Sequence, residues 1–185
     1  ADGRRDPDRE IQSLELLAAR QVDGLLIASS ALTERHRSWI DERPCPVVVM
    51  NSSFASEGVP SVLSDNVAGG RLAAEHLLDL GHRSLTYVAT PASGNLAVDE
   101  RLAGVREALA DRGRSRDDLD VVQGDGGVEG GERAGHGALE QRPLTTALIC
   151  YNDLTAVGAL RAVHALGMRV PEDVSIIGFD DIELA

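Results

Sequence analysis

Short apolar runs alternate with segments of helical spacing along nearly the whole chain. Strand-like apolar runs occur at residues 25–28, 47–50, 61–64, 85–89, 119–122, 147–151 and 174–178. Between them apolar residues recur three or four positions apart, and Ile11, Leu14, Leu17 and Ala18 are the first such set. Apolar strands that alternate with amphipathic helices predict parallel βαβ units with right-handed crossovers.

The ends of the predicted helices carry the expected capping signals. Helices are predicted at residues 11–22, 33–41, 65–80, 98–111, 131–141 and 153–166. Thr33 is a plausible N-cap for the second helix, and Asp65 or Asn66 for the third. Gly81 and Gly167 follow helix ends, where glycine is favoured.

A loop rich in proline, glycine and serine divides this pattern. It covers residues 90–96 and is the best candidate for a boundary between two halves. We therefore predict an α/β fold of two doubly wound parallel-sheet subdomains that face each other across a cleft. The predicted subdomains are residues 1–90 and 91–185.

Polar residues follow several of the predicted strands directly. They are Ser29-Ser30, Asn51, Asp65-Asn66, Asn152-Asp153 and Asp180-Asp181. Open α/β sheets bind ligands at the carboxyl ends of their strands, although Ser, Asn and Asp at these positions are also common N-caps. Capping and ligand binding are evenly balanced for Asp65 and Asp153. Ligand binding is favoured for Asn152 and Asp180, because each has a polar neighbour that could serve as the cap.

Arg101 lies in the first turn of the predicted helix that follows the boundary loop. A positive charge there opposes the helix dipole, so another interaction is expected to hold it. A guanidinium can bind two oxygens of a sugar, carboxylate or phosphate. The alternative is an ion pair with Asp99, Glu100 or another acidic residue.

Composition narrows the classes of partner. The formal net charge is -12, which disfavours direct binding of nucleic acid by this chain. No apolar run is long enough to cross a bilayer, so no membrane partner is expected. Cys45 and Cys150 lie inside or beside apolar runs and are expected to be buried and reduced.

The sequence lacks the common catalytic, metal and cofactor motifs. It contains no GxGxxG, GxxxxGK[ST], HExxH or GxSxG pattern, and it contains no lysine to reach a phosphate. The five histidines have no metal-ligand spacing. We therefore assign no catalytic residue, no metal site and no cofactor, and we expect a binding protein rather than an enzyme.

Longer motifs resemble the effector-binding core of the lactose-repressor (LacI/GalR) family of bacterial transcription regulators. The matching segments are VDGLLIASS (22–30), PVVVMN (46–51), VLSDNVAGGRLAAEHLLDLGHRSLTYV (62–88), ERLAGVREAL (100–109) and TALICYNDLTAVGALRAVHALGMRVPEDVSIIGFDD (146–181). Any one of these would be weak evidence. The succession of LGHR, RLAG, NDLTAVGAL and VPEDVSIIGFDD in this order is highly specific.

The resemblance implies a fold of the periplasmic-binding-protein type I and a binding function. In that family a small-molecule effector, which is a sugar, a nucleobase or a related metabolite, binds in the cleft. Its binding alters how a homodimer presents its DNA-binding heads to operator DNA. By motif, Arg101, Asn152 and Asp180 match effector-contacting positions, and Ser30 and Asn95 are weaker candidates. A cytoplasmic location and operator binding through a helix-turn-helix head outside this chain are implied as well.

Two departures from the family pattern are expected to matter. The position after Gly124-Asp125 often carries a bulky residue that packs on the ligand, but here it is Gly126. Both ends of the family pattern are missing, so the chain is expected to be an excerpt of a longer protein, truncated at both ends. The strand at residues 25–28 should then lie at an exposed apolar sheet edge.

Two other functions remain open from the sequence. A periplasmic sugar-binding protein of a transporter would share the fold and the cleft, and a signal peptide would distinguish it from a regulator. An α/β enzyme that uses Asp153 or Asp180 as a base is the alternative from another class, although no nucleophile, metal or cofactor motif supports it.

Overall fold

The computed structural model describes residues 6–28, 32–42, 45–51, 58–91, 96–115 and 118–183. The chain forms two compact units: Ala1–Ser64 with Ala92–Ala97, and Asp65–Pro91 with Val98–Ala185. This division differs from the predicted subdomains, residues 1–90 and 91–185. Residues 65–91 belong to the second unit because their strand is hydrogen-bonded to two strands of the later chain.

In its described residues, the first unit contains a three-stranded parallel sheet and two helices. Its elements are α1 (Pro7–Ala19), β1 (Leu25–Ala28), α2 (Glu34–Asp41), β2 (Val47–Met50) and β3 (Ser61–Val62). The strand order is β1-β2-β3, and Leu25 pairs with Val47 at the start of the register. Among the described residues β1 therefore occupies a sheet edge, as the sequence analysis expected.

One face of this sheet carries the core of the first unit. Alternate strand residues and the apolar faces of the two helices form one buried cluster, comprising Ile11, Leu14, Leu25, Ile27, Trp39, Ile40, Val47 and Val49. On the opposite face of β1, Leu26 is 73% exposed. The alternation of buried and exposed positions follows from the two-residue period of a strand.

A buried histidine ties the start of α2 to α1. The backbone N–H of Thr33, the N-cap residue, donates to Nδ1 of His36 at 3.2 Å. Nε2 of the same ring lies 3.2 Å from Oε2 of Glu10. Because Nδ1 accepts a hydrogen bond, the ring is neutral, with its proton on Nε2.

The second unit contains a four-stranded parallel sheet with helices on both faces. Its elements are α3 (Asn66–Asp79), β4 (Leu85–Ala89), α4 (Leu96–Asp111), β5 (Leu119–Gln123), α5 (Val128–Gln141), β6 (Ala147–Cys150), α6 (Asp153–Ala165) and β7 (Ser175–Ile177). The strand order is β5-β4-β6-β7. The chain therefore runs from β4 outward to β5 on one side of the sheet, and from β6 outward to β7 on the other side. The strand order reverses between β4 and β6.

Two hydrophobic layers explain why these strands are apolar throughout. Leu85, Tyr87 and Ala89 of β4 face α3 and α4, whereas Val88 faces α5 and α6. All five residues of β4 and all four of β6 are buried. Strands covered on both faces lose the polar alternation of a one-sided sheet, as expected for doubly wound folds.

Glycines allow the helices of each layer to meet backbone to backbone. A Cβ at Gly104 of α4 would overlap the carbonyl oxygen of Val67 in α3, and a Cβ at Gly158 of α6 would overlap that of Val128 in α5. Each helix pair therefore crosses at a point that excludes even a methyl group. This close packing fixes α4, and with it the residues that α4 presents at the sheet edge.

Helix ends differ most from the sequence-based expectations. Helix α1 starts at Pro7 because Asp6 caps it, with its carboxylate accepting from the N–H groups of Asp8 and Arg9. Helix α4 starts at Leu96 rather than at residue 98. Within the described residues, no helix combines the length and apolarity needed to span a membrane.

The close crossing of α3 and α4 predicts that a larger residue at position 104 destabilises the protein. Gly104→Ala is expected to lower the free energy of unfolding by about 3 kcal/mol, because the helices must separate to admit a methyl group. Chemical denaturation followed by far-UV circular dichroism measures this. Gly137→Ala is the control, since a Cβ there would meet only Nε2 of Gln141 at 3.8 Å. That change should stabilise by about 0.5–1 kcal/mol, and equal losses in both variants would contradict the packing argument.

Burial of His36 should make the first unit sensitive to acid. Burial lowers the pKa of His36, an effect that Arg35 reinforces and that Glu10 opposes. The unfolded chain then binds a proton more readily than the folded one, so stability should be constant above about pH 6.5 and fall below it. Denaturation between pH 5 and pH 8 can be followed by fluorescence of Trp39, which lies in α2 and is the only tryptophan of the chain.

His36→Gln should flatten this pH dependence, because glutamine cannot titrate in the range. His136→Gln is the matched control, since His136 is partly exposed and pairs with Glu140 in the second unit. An unchanged acid transition in His36→Gln would rule out His36 as its source.

Candidate functional site

The carboxyl edge of the second sheet gathers polar side chains where the strand order reverses. Crevices at such positions are the usual ligand sites of open α/β sheets. Tyr151 and Asn152 follow β6, and Phe179 and Asp180 follow β7. Arg101 reaches the same place from α4.

Arg101 is the centre of this cluster and is only 9% exposed. Its Nε donates to Oδ1 of Asn66 at 3.0 Å, and its Nη1 donates to the carbonyl oxygen of Tyr151 at 2.6 Å. Its guanidinium carbon lies 3.6 Å from the ring centroid of Phe179 and 4.7 Å from that of Tyr151. Cation–π contacts and hydrogen bonds together offset the loss of hydration of the charge.

Helix α4 places Arg101 in its second turn, because the helix begins at Leu96. The predicted position in the first turn was wrong by this small shift of the helix start. The alternative considered for Arg101, an ion pair with an acidic residue, is present in the structure. The ion-pair partner is Asp180, with Nη2 of Arg101 3.6 Å from Oδ1, rather than Asp99 or Glu100.

Asp180 is exposed, with 43% of its side chain accessible to solvent. Its backbone has a φ of 118°, which is strained for a residue other than glycine. Partial burial raises the pKa of the Asp180 carboxyl, Arg101 opposes this rise, and the nearby charge of Asp153 adds to it. Strain held at an exposed strand end is typical of functional positions.

Asn152 is the N-cap of α6. Its Oδ1 accepts from the N–H of Thr155 at 2.8 Å, and its Nδ2 donates to the carbonyl oxygen of Gly126 at 3.0 Å. Capping by Asp153, one of the two balanced interpretations of that residue, is not what the structure has, because Asn152 itself is the cap. Asp153 instead accepts from the N–H of Ile182 at 2.9 Å through Oδ2, which fixes the chain after Asp180. Oδ1 of Asn152 keeps one lone pair for a further donor.

Asp65 is the N-cap of α3, with its Oδ1 accepting from the N–H of Ala68 at 2.9 Å. Capping was one of the two balanced interpretations of this residue, and it is confirmed. Asn66, the next residue, takes part in the cluster instead. Its Nδ2 donates to Oε2 of Glu100 at 3.0 Å while its Oδ1 accepts from Arg101.

Three residues of the cluster were not chosen as site residues from the sequence. Asn66 was noted only at a strand end beside Asp65, and Tyr151 and Phe179 were not considered. The available signal was their position, since each aromatic residue directly precedes a selected polar residue. Gly69 makes room for one of them, because a Cβ there would overlap the ring of Phe179.

Gly126, expected to deprive the site of a stacking residue, has a different role in the fold. Its φ is 82°, a conformation that favours glycine, and its carbonyl oxygen accepts from Asn152. Aromatic rings are nevertheless present at this edge, on Tyr151 and Phe179.

The structure brings together two of the five selected residues, Arg101 and Asp180, while the side chain of Asn152 bonds to Thr155 and Gly126. Arg101 contacts Asp180 directly, and Asn152 follows the carbonyl group that Arg101 binds. Ser30 and Asn95 lie outside the described residues. Within the described residues, no three His, Cys, Asp or Glu side chains converge to hold a metal ion.

Parallel sheets covered by helices, with a polar cluster at a carboxyl edge, define an α/β protein of the ligand-binding type. Residues 2–184 match the family described as periplasmic binding proteins and sugar binding domain of LacI family, and the chain belongs to this family. The resemblance inferred from the motifs and the predicted fold class are confirmed.

The similar proteins are transcription regulators. The HTH-type transcriptional repressor PurR of Klebsiella pneumoniae (strain 342) is 35% identical over 182 residues, which are 97% of this chain and 53% of that protein. The chain therefore spans about half the length of the curated relatives it matches.

Solved structures of regulators share the fold over most of the chain. Transcription regulator CcpA of Lactococcus lactis has a TM-score of 0.88 at 28% identity, over 98% of this chain and 66% of that one. A LacI family transcriptional regulator from Enterococcus faecium, with bound ribose, has a TM-score of 0.84 at 30% identity, over 94% and 64%.

The pair of Arg101 and Asp180 predicts how the carboxyl should titrate. Its pKa should lie above the ordinary value for aspartate, and Arg101→Ala should raise the pKa of Asp180 further, because the opposing positive charge is lost. Carbon-13 NMR of the aspartate carboxyl groups across a pH titration measures both values. Arg133→Ala is the control, since Arg133 pairs with Asp125 at 2.9 Å. A fall in the pKa of Asp180 after removal of Arg101 would contradict the assigned electrostatics.

Proposed function

We propose that the chain is the ligand-sensing core of a LacI-type transcription regulator, and that a sugar or related metabolite binds at the cluster of Arg101, Asn152 and Asp180. The observation that carries the proposal is the arrangement of Arg101. A nearly buried guanidinium, with its orientation fixed by Asn66 and Tyr151, stands beside a half-exposed carboxylate at the edge where α/β sheets bind ligands.

The chemistry of this cluster suits hydroxyl groups. The Asp180 carboxylate accepts hydroxyl protons, and Oδ1 of Asn152 has a lone pair beyond its cap bond. A guanidinium has five N–H donors, and the contacts described for Arg101 leave donors for a ligand oxygen. Ribose bound to the related Enterococcus faecium regulator is consistent with a sugar as the ligand class. Ser30 and Asn95 are proposed as further contacts on the basis of the motifs alone.

The regulatory part of the proposal concerns the whole protein. Operator DNA would be bound by a helix-turn-helix head outside this chain, in a cytoplasmic homodimer. Ligand binding would act by shifting a population between two conformations, so its contacts must differ between them. The repressor name of the PurR relatives supports this assignment over a transport receptor or an enzyme.

Ligand binding can be tested directly on this chain. Melting temperatures should be measured with D-ribose, D-glucose, cellobiose, adenosine and small organic acids at millimolar concentrations. A ligand at 100 times its Kd should stabilise the folded chain by about 2.7 kcal/mol, which raises the melting temperature. Arg101→Ala should abolish the rise, because it removes the central donor.

Arg112→Ala is the matched control, one residue beyond the end of α4. Arg112 pairs with Asp79 at 2.6 Å on the exposed surface, so its loss should leave the ligand-induced shift unchanged. Circular dichroism verifies that both variants are folded. A shift that persists in Arg101→Ala, or that disappears equally in Arg112→Ala, would place the ligand elsewhere.

A further inference from the structure

The side chain of Asn66 links Arg101 to the carboxylate of Glu100. Nδ2 of Asn66 donates to Oε2 of Glu100 at 3.0 Å, and Oδ1 of Asn66 accepts from Nε of Arg101 at 3.0 Å. Glu100 and Arg101 are neighbours on α4, and adjacent residues of a helix do not face each other. The amide of Asn66, on α3, therefore bridges two side chains that α4 itself keeps apart.

The bridge requires one orientation of the amide. An ionised carboxylate only accepts hydrogen bonds, and a guanidinium only donates them. Exchanging the two ends of the amide would place its NH2 group against Arg101 and its oxygen against Glu100, so both hydrogen bonds would be lost. Asn66 is 7% exposed, which makes an unpartnered amide at this position costly. Glu100 and Arg101 therefore hold the amide from both ends.

Helix packing brings the three side chains together. A Cβ at Gly70, one turn after Asn66 on α3, would overlap the carbonyl oxygen of Arg101. The two helices are therefore in backbone contact beside the bridge, and a short asparagine side chain is long enough to span them. The other anchor of the guanidinium is a backbone group, since Nη1 of Arg101 donates to the carbonyl oxygen of Tyr151 at 2.6 Å. Of these two anchors only Asn66 is a side chain that can rotate, so its orientation depends on a further partner.

We infer that Glu100 is a positioning residue, which acts through Asn66 to fix the plane of the Arg101 guanidinium. It thereby sets the direction in which the remaining donors of the guanidinium point beside Asp180. The inference rests on the proposed function, since it names a residue that orients the proposed binding group. The carboxylate also polarises the amide, because hydrogen bonds in a chain strengthen one another. Its charge makes Oδ1 of Asn66 a stronger acceptor for Arg101.

The strength of the anchor can be measured without any ligand. Nitrogen-15 NMR measures the rate at which the Nε–H proton of Arg101 exchanges with water, and Arg101→Lys identifies the signal by its loss. Glu100→Ala should accelerate this exchange by about threefold or more, the factor that corresponds to a hydrogen bond of ordinary net strength. Glu107→Ala is the matched control, since Glu107 is an exposed acidic residue of the same helix, and it should leave the rate unchanged.

A conservative change separates the hydrogen bond from the charge. The side chain introduced by Glu100→Gln keeps an acceptor oxygen for Nδ2 of Asn66 but carries no charge. Glu100→Gln should therefore restore most of the protection of the Nε–H proton that Glu100→Ala loses. Exchange as fast in Glu100→Gln as in Glu100→Ala would mean that the charge alone matters, and the bridge would lose its assigned role.

A double-mutant cycle tests whether the effect passes through Asn66. In a chain that already carries Asn66→Ala, Glu100→Ala should change the exchange rate no further, because the bridge is absent. Additive effects of the two changes would show that Glu100 acts on Arg101 by another route, and would contradict the inference. Circular dichroism verifies that every variant is folded.

Titration of the same Arg101 signal distinguishes the inference from the proposed function. D-ribose, D-glucose and adenosine are added to the wild-type chain and to Glu100→Ala, and a compound that shifts the signal should bind the variant about threefold more weakly or less tightly still. Equal affinities would show that the orientation set by Glu100 does not serve binding. If no compound shifts the signal, the proposed ligand site fails, while the exchange rates of the ligand-free variants still decide the role of Glu100.

Discussion

Burial of one guanidinium is the constraint around which the second unit is organised. A charged group with 9% exposure is costly unless its surroundings replace water, and Arg101 receives hydrogen-bond acceptors from α3 and from the end of β6, an anion after β7, and aromatic rings from both strand ends. These groups come from three places in the fold: helix α3, the residues after β6 and the residues after β7. The guanidinium therefore requires that the elements meet in one arrangement.

The glycine contacts make that meeting possible. The crossing of α3 and α4 at Gly104 sets the distance between Asn66 and Arg101, because both helices are held at backbone contact. Gly69 admits the Phe179 ring beside the same guanidinium. Helix packing therefore determines the position of the residues at the sheet edge. A change that separates α3 from α4 would also move Arg101.

The polar residues at the strand ends fall into two groups, those that cap a helix and those that contact Arg101. Asp65 and Asn152 satisfy helix N-termini, whereas Asn66 and Asp180 face Arg101. Both kinds of residue have the same type and the same placement in the sequence. Since a cap and a ligand contact use the same oxygen atoms, only the position of the neighbouring elements distinguishes them. For the same reason the sequence did not show that Asn152 caps α6 while Asp153 bonds to the N–H of Ile182.

The sequence by itself determined the strands, the helices, the parallel α/β class and the family, because apolar periodicity and specific motifs are local and lie along the chain. The motifs also pointed to Arg101 and Asp180, whose side chains lie in contact in the structure. Only the tertiary structure decided that residues 65–91 belong to the second unit, since the pairing of β4 with β5 and β6 joins distant segments. It alone identified Tyr151, Phe179 and Asn66 as the groups that hold the guanidinium. Such contacts depend on where α3, α4, β6 and β7 lie relative to one another. The spacing of residues along the sequence does not give these positions.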